Sequence, residues 1–231
     1  MDLLRRHLWM VLLPALAAAG CAIDRQEARS AVSGNLLENA SFEQGRAPWF
    51  VLVTPNWEDF EVTDQYAAHG RYSARLALRA EGSARSTKIA GVIQEVSPRE
   101  FPGRLSGSYR IEGWTRGTAK QYVQVVVIVF GDPSAKPYPN HQVRYVLGGV
   151  DKPPLRFINA RYSFVGGSEL QQGGWVRFDL DLHADFQRLW GYVPKEFSKI
   201  RVLFEVRYDA KKAIETGVSA DVYFDNLYLG K

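Results

Sequence analysis

The sequence predicts an all-β protein, built as a two-sheet antiparallel β-sandwich of the jelly-roll type. Three observations favour this fold class. Apolar and polar residues alternate with period two between Gly, Pro, Asn and Asp residues, no window after Asn35 has a sustained helical stripe, and the apolar segments are short. Short strands repeated at such intervals are typical of sandwiches and jelly rolls rather than of helical or α/β folds.

The strand signal is strongest in a few segments. Residues 72–79, 176–182 and 202–208 alternate apolar with charged or small side chains, which predicts strands with one solvated face. Segment 125–130 is apolar on both sides and predicts a central strand covered twice. The Pro-rich stretch 132–154 predicts a long loop. A short helix is expected only within residues 187–197, which contain Trp190 and Tyr192.

Composition places the chain among ordinary globular proteins. Its 231 residues are 46% hydrophobic and 23% charged, and the formal net charge is +4. The charge is too small and too dispersed to indicate a nucleic-acid partner, because phosphate binding needs clustered cations. Cys21 is the single cysteine, so the chain forms no internal disulfide and no Cys-rich zinc site.

The first 20 residues predict a secretion signal peptide. Arg5 and Arg6 form a positive start, residues 8–19 form an apolar stretch, and small residues follow. The apolar stretch is too short to span a bilayer, since a spanning helix needs about 20 apolar residues. Residues 21–34 are small and polar without an apolar period, and predict a flexible tether before a domain covering 35–231.

The segment Ala18-Ala19-Gly20-Cys21 resembles the lipobox of bacterial lipoproteins. This resemblance implies that Cys21 is diacylated, with palmitate among its acyl chains, and becomes the first mature residue. Acyl chains of this kind give stable membrane anchoring. Ala22 stands where the family places Asp for inner-membrane retention, which implies the outer membrane, on its periplasmic or its surface side. The alternative is a soluble secreted protein with a free thiol.

The start of the predicted domain resembles known sugar-binding proteins. Residues 35–45, followed by Trp49, look like the opening strand of carbohydrate-binding modules of families four, nine and twenty-two. Further segments agree in the same order along the chain: 69–73, 91–96, 109–114, 174–175 and 222–229. The resemblance implies a galactose-binding-like jelly roll and a polysaccharide or glycan as ligand. The same fold also carries structural and protein-binding modules, so a protein partner in the envelope is the alternative.

Two carboxylates match the metal positions of the resembling modules. Glu43 and Asp225 stand where those modules hold a structural calcium ion, which prefers 6–8 oxygen ligands. A third carboxylate is usual before the second-strand glycine, but residues 67–69 are Ala-Ala-His, and Asp64 or Glu61 would have to replace it. The alternative is that Glu43 and Asp225 cap turns or pair with an arginine.

Sugar binding requires flat aromatic faces and convergent polar groups. Aromatic residues in predicted loops and polar residues on predicted strands supply the candidates, with the alternative that any single aromatic belongs to the core and that Gln124 satisfies a buried carbonyl. Of the tryptophans, Trp57 and Trp190 are expected to be partly exposed. The candidate ligand-binding residues are Trp57, Phe60, Gln124, Tyr138, Arg144, Tyr145, Trp190 and Tyr192.

No catalytic residue is predicted. The histidines of the mature chain have no metal-ligand spacing, and the chain has no G-x-S-x-G elbow, phosphate-binding loop or dinucleotide fingerprint. A polysaccharide lyase or hydrolase remains an alternative, because His141, Arg144 and Tyr145 are residue types that such enzymes use. The leading hypothesis is a non-catalytic envelope lipoprotein that binds a glycan.

Overall fold

The computed structural model describes residues 34–81, 86–116, 120–209 and 217–231. The predicted signal peptide, the lipidation site Cys21 and almost all of the tether lie outside these residues. The described part contains a 3₁₀ turn at Pro133–Ala135, one α-helix and eleven strands. These are β1 (Trp57–Glu58), β2 (Phe60–Thr63), β3 (Ser73–Ala80), β4 (Lys88–Val96), β5 (Arg104–Thr115), β6 (Lys120–Phe130), β7 (Asn140–Gly148), β8 (Ala160–Phe164), β9 (Trp175–Asp181), α1 (Leu182–Trp190), β10 (Lys199–Asp209) and β11 (Val218–Gly230).

The strands form two sheets, and the predicted two-sheet β-sandwich is confirmed. The six-stranded sheet has the order β1-β4-β10-β6-β7-β8, and the five-stranded sheet has the order β2-β3-β11-β5-β9. The pairings are antiparallel except that β1 pairs with β4, and β8 with β7, in parallel. The parallel β7–β8 pair requires a crossover connection, since a tight hairpin can join only antiparallel strands. Residues 149–159 provide that connection.

The strand predictions hold, the helix lies earlier than expected, and the prediction of one long loop over 132–154 is wrong because strand β7 (Asn140–Gly148) lies within it. Segments 72–79, 176–182 and 202–208 fall in β3, β9 and β10, and segment 125–130 lies in β6, which is flanked by β10 and β7. Helix α1 begins after Asp181, whose carboxylate accepts a hydrogen bond from the Ala184 N–H at 2.9 Å. It ends at Gly191, which has a φ of 84°. No helix in the described ranges is long and apolar enough to cross a membrane.

The opening segment lies beside the last strand, as the predicted jelly roll requires. The Leu36 N–H donates to the Leu229 carbonyl at 2.7 Å, and the Leu227 N–H donates to the Ala40 carbonyl at 3.0 Å. The side chain of Asn35 accepts from the Leu229 N–H and donates to the Leu227 carbonyl. Residues 35–45 nevertheless form turns rather than a regular strand.

Aromatic rings join the two sheets at the centre of the core. The ring centroid of Phe204 on β10 lies 5.3 Å from that of Phe224 on β11 and 6.4 Å from that of Phe178 on β9. The ring centroid of Trp49 lies 5.9 Å from that of Phe204 as well. Since Phe204 is fully buried and contacts both layers, it fixes how the sheets face each other.

Replacing Phe204 with Ala is expected to lower the free energy of unfolding by about 3–5 kcal/mol, because it removes a buried ring and leaves a cavity between the sheets. Equilibrium denaturation with urea measures the change. Phe204→Leu, which keeps most of the volume, should cost clearly less. A loss below about 1 kcal/mol for the alanine variant would contradict the central placement of this ring.

Candidate functional site

One face of the six-stranded sheet points away from the core, and we call it the outer face. In β6 the residues 123, 125, 127 and 129 belong to the core, so the alternate residues between 120 and 130 point outward. In β10 the even-numbered residues 200–208 belong to the core, and the odd-numbered residues point outward. The outer face has an apolar part around Ile93, Val126 and Leu203 and a polar part beside it.

The strand register aligns five residues across the outer face. Gly91 on β4 pairs with Glu205 on β10, Glu205 with Gln124 on β6, Gln124 with Val146 on β7, and Val146 with Phe164 on β8. We call this set the transverse row. It crosses four strand spacings, which is about 19 Å.

An indole covers one end of the transverse row. A Cβ placed on Gly91 would lie 2.7 Å from Cζ3 of Trp57, so the ring occupies the space that any larger residue would fill. The same Cβ would lie 3.1 Å from Cβ of Glu205, which places the indole next to this carboxylate. Phe164, at the other end, is 39% exposed. The transverse row therefore carries an aromatic ring at each end and polar side chains between them.

Glu205 is the buried charge at the centre of the transverse row. Its side chain is 1% exposed, and its Oε1 accepts a hydrogen bond from Nε2 of Gln124. The Nη1 atoms of Arg207 and Arg144 lie 3.7 Å and 3.9 Å from the same oxygen. Because an isolated carboxylate is costly to bury, these two guanidinium groups offset its charge.

Several buried polar atoms around Glu205 lack a hydrogen-bond partner among the described residues. They are Oε1 of Gln124, Oε2 of Glu205, Nη1 of Arg144 and Nε of Arg207. Two of them are acceptors and two are donors. Most buried polar groups in proteins are paired, so a cluster of unpaired ones indicates a place where another molecule supplies the partners.

A second carboxylate orders the neighbouring part of the outer face. Asp209 accepts hydrogen bonds from the Tyr122 hydroxyl at 2.5 Å and from Nη2 of Arg207 at 3.0 Å. Burial raises the pKa of Tyr122 well above its usual value, so the hydroxyl stays protonated and donates. Burial by itself would lower the pKa of Arg207, but the charges of Glu205 and Asp209 raise it, which keeps the guanidinium charged.

The connection between β7 and β8 borders this polar region. Cζ of Arg144 lies 4.8 Å from the centre of the Phe157 ring, and Nζ of Lys120 donates to the Pro154 carbonyl at 2.6 Å. A depression of about 390 Å³ lies here. It is lined by Lys120, Pro153, Pro154, Leu155, Arg156 and Phe157.

The structure brings together three of the candidate ligand-binding residues. Trp57, Gln124 and Arg144 all lie on the outer face, around Glu205. Two other candidates lie in the core instead. Phe60 is 3% exposed and packs against Phe42, and Tyr145 is fully buried because it points inward from β7 where Arg144 points outward.

The remaining aromatic candidates belong to another part of the structure. The His141 ring stacks on Trp190 with a centroid distance of 3.9 Å, and Cζ of Arg161 lies 4.0 Å from the same indole. Two groups this close cannot share one face, so both faces of Trp190 are occupied. The Tyr192 hydroxyl donates to Asp132 at 2.7 Å and also hydrogen-bonds to His141. The Trp190 ring is therefore covered on both faces, and the Tyr192 hydroxyl is already engaged inside the protein.

Tyr138, the last of the candidates, lies between the 3₁₀ turn and β7. Its N–H donates to the Ala135 carbonyl at 2.9 Å. Its side chain is half-buried. This contact does not connect Tyr138 to the transverse row.

Sequence reasoning missed four residues of the site. Glu205 and Arg207 were predicted only as the solvated side of a strand, and Phe157 and Phe164 were not singled out. A charged residue on β10 facing a polar interruption on β6 is the signal that could have identified Glu205. That signal needs the strand register, which the sequence alone does not give.

Glu43 and Asp225 both hold the turn before β3. Oδ2 of Asp225 accepts from the Ala68 and His69 N–H groups at 2.7 Å and 2.8 Å, and Oδ1 accepts from the Asn226 N–H at 2.6 Å. These bonds use three of about four acceptor positions of that carboxylate. Oε1 of Glu43 accepts from two further N–H groups of the same turn, those of residues 71 and 72.

These contacts do not fit the predicted calcium site. Backbone N–H donors take most of the oxygen positions that a cation would need. No group of three or more His, Cys, Asp or Glu side chains that could hold a metal ion occurs in the part of the chain that the structure describes. The calcium ion therefore stays a prediction from the resemblance, and the geometry favours the alternative in which both carboxylates cap turns.

No protein-family model matches the chain, and no curated protein sequence matches it. Among solved structures, a family 61 carbohydrate-binding module in complex with β-1,4-galactotriose is similar at 15% identity and a TM-score of 0.45, over 86% of this chain and 99% of that chain. A family 28 module specific for non-crystalline cellulose is similar at 12% identity and a TM-score of 0.43, over 86% and 96%.

The enzymatically active domain of tailspike protein 4 from bacteriophage CBA120 is also similar, at 12% identity and a TM-score of 0.43. The similarity covers 85% of this chain and 21% of the tailspike chain, so this chain spans about a fifth of that protein. The sugars and activities named for these proteins are properties of those proteins. The sandwich fold of this chain rests on its own strand order and register.

Burial raises the pKa of Asp225 to about 6 from its ordinary value of 3.8, although the three accepted N–H bonds act in the opposite direction. A carboxyl with a raised pKa in the folded state stabilises the fold fully below the unfolded value and loses that contribution as pH rises through the folded value. The free energy of unfolding, relative to an Asp225→Asn variant, should therefore fall between about pH 4 and pH 6. Denaturation at stepped pH measures it, and a difference that rises over this range would contradict the assignment.

Proposed function

We propose that the protein binds a polysaccharide or other glycan on the outer face of the six-stranded sheet, across the transverse row. The observation that carries this proposal is the group of buried, unpaired polar atoms around Glu205, bordered by the rings of Trp57 and Phe164. Sugar-binding sites combine these two features, since sugars present apolar ring faces and many hydroxyl groups.

Each polar atom has a specific use in such a complex. The four unpaired atoms are themselves buried, so ligand hydroxyls reach them through bridging waters, which donate to Oε2 of Glu205 and Oε1 of Gln124 and accept from Nη1 of Arg144 and Nε of Arg207. Hydroxyl groups both donate and accept, so a sugar can satisfy a mixed set that a purely apolar ligand would leave unpaired. The Trp57 ring stacks on C–H groups of a pyranose at one end.

The arrangement favours binding over cleavage. Glycoside hydrolysis commonly uses two carboxylates on opposite sides of the bond. Within the described residues of the transverse row, Glu205 is the only carboxylate, and two arginines and Gln124 engage it. Asp209 is held by Tyr122 and Arg207. These contacts support a non-catalytic role.

A protein partner is the second candidate, and one observation favours it. Exposed apolar side chains lie on both sides of β8, where Ile158 before the strand is 71% exposed and Val165 after it is 47% exposed. β8 is an edge strand of the six-stranded sheet. Exposed apolar patches and open strand edges are typical protein-binding features. An envelope assembly role would use this edge.

Membrane anchoring through Cys21 is part of the proposal. The predicted signal peptide, the lipobox-like segment and the polar segment 21–34 support an outer-membrane lipoprotein. A protein at this location meets glycans of the envelope or glycans outside the cell.

The variant Trp57→Ala is expected to weaken glycan binding roughly tenfold, because it removes the stacking surface at one end of the transverse row. Isothermal titration against a panel of soluble polysaccharides measures the affinity, and a reducing-end assay on the same mixtures detects cleavage. The matched control is Trp175→Ala, since Trp175 lies on β9 of the opposite sheet. Equal losses in both variants, or release of reducing ends by the native protein, would contradict the proposal.

Cells grown with labelled palmitate should incorporate the label into the native protein and not into Cys21→Ser. The thiol is the only acylation site that the lipobox resemblance provides. Immunoprecipitation followed by detection of the label measures this. An unlabelled native protein would remove the membrane anchor from the proposal and leave the glycan site untouched.

A further inference from the structure

We infer that the depression beside the transverse row binds a negatively charged substituent, a carboxylate or a sulfate, and that the ligand is therefore an acidic polysaccharide. This inference rests on the proposed glycan binding and specifies the chemical class of the ligand. It begins from the two basic side chains, Lys120 and Arg156, that line the depression.

Both cations keep free hydrogen-bonding capacity. Nζ of Lys120 uses one of its three donors on the Pro154 carbonyl. The guanidinium of Arg156 is exposed, and no hydrogen bond or ion pair to another described residue engages it. A guanidinium presents a planar fork that matches carboxylate and sulfate oxygens, and the ammonium adds a point charge beside it.

The ring of Phe157 connects the depression with the polar side chains around Glu205. Phe157 lines the depression, and Cζ of Arg144 lies 4.8 Å from the centre of that ring. Arg144 in turn supplies one of the buried, unpaired donors next to Glu205. A sugar chain on the transverse row would therefore extend toward Lys120 and Arg156 at its side.

The outer face carries more basic than acidic side chains, so its net charge is positive like that of the depression. The outward-pointing positions of β4, β6, β7 and β10 include the basic residues Lys120, Arg144, Lys199, Arg201 and Arg207 and the acidic residues Glu95, Glu205 and Asp209. Glu95 is already paired with Lys199 and Arg201. Asp209, the register partner of Lys120, offsets one of the three cations near the depression, which are Lys120, Arg144 and Arg207, and Glu205 offsets another. One positive charge is therefore in excess there before Arg156 is added. A positive field of this kind draws polyanions.

The opposite sheet carries its charges differently. On its outward side Asp221 pairs with Arg75 and Arg79 at 3.0 Å and 2.7 Å, and Asp179 pairs with Arg104 at 2.6 Å. These three arginines are matched by neighbouring carboxylates. The depression differs from these paired positions, because Arg156 has no ion pair among the described residues and Lys120 uses one of its three donors.

The test uses polysaccharides in matched pairs, with the full chain in detergent. Polygalacturonate and hyaluronate are compared with their carboxyl-reduced forms, and dextran sulfate with dextran. Binding is measured by isothermal titration at low and at high salt. We expect at least one charged polymer to bind roughly tenfold more tightly than its neutral partner, with the preference declining as salt is added.

The double variant Lys120→Gln, Arg156→Gln should lower that preference to about twofold or less and leave the affinity for the neutral partner unchanged. The matched control is Arg177→Gln, an exposed cation on β9 of the opposite sheet, which should keep the preference. The melting temperature of every variant shows whether the fold is intact. Carboxylated and sulfated polymers separate the two possible substituents.

The outcomes distinguish this inference from the proposal beneath it. Equal binding of charged and neutral partners, with Trp57→Ala weakening both, would overturn the acidic ligand and keep the glycan site. A charge preference that survives in the double variant would place the anion elsewhere and overturn the inference. Binding to none of the polymers would overturn both.

Discussion

The burial of Glu205 on the outer face is the constraint on which the polar side of the sandwich depends. The register of β10 with β6 and β4 puts this carboxylate between Gln124 and the indole of Trp57, where its side chain is 1% exposed. A carboxylate in such a place must be compensated, and Arg144 and Arg207 lie within 4 Å of it. The compensation is incomplete in hydrogen-bond terms, because acceptors and donors of the same cluster remain unpaired.

The inward and outward sides of the two sheets have different roles. The inward sides of both sheets pack aromatic rings around Phe204 and set the fold. The outward side of the five-stranded sheet neutralises its charges in surface ion pairs such as Arg79 with Asp221. The outer face of the six-stranded sheet keeps its unpaired polar atoms between aromatic rings. We therefore assign the binding role to the outer face.

The sequence predicted the fold better than the site, for a physical reason. Alternation in β3, β9 and β10 is local, so a period-two pattern identifies those strands without their partners. Which side chains meet depends on register and on packing between distant segments. Phe60 stands at the end of a polar run yet fills the core opposite Leu76. Trp190 stands in the segment predicted to form a short helix, yet His141 from β7 covers one of its faces, which the local sequence does not indicate. Glu205 lies beside Gln124 because β10 pairs with β6, and that pairing cannot be derived from the local sequence.

The indole N–H signals of the five tryptophans within residues 35–231 provide the most direct measurement of the central claim, since they report contacts at separate places in the fold. In a ¹H–¹⁵N correlation spectrum, with each signal assigned from a single-tryptophan variant, titration of a bound oligosaccharide should shift the Trp57 signal. The signals of Trp175 and Trp190 should stay in place. A shift at Trp190 or Trp175 with Trp57 unmoved would contradict the outer face as the binding surface.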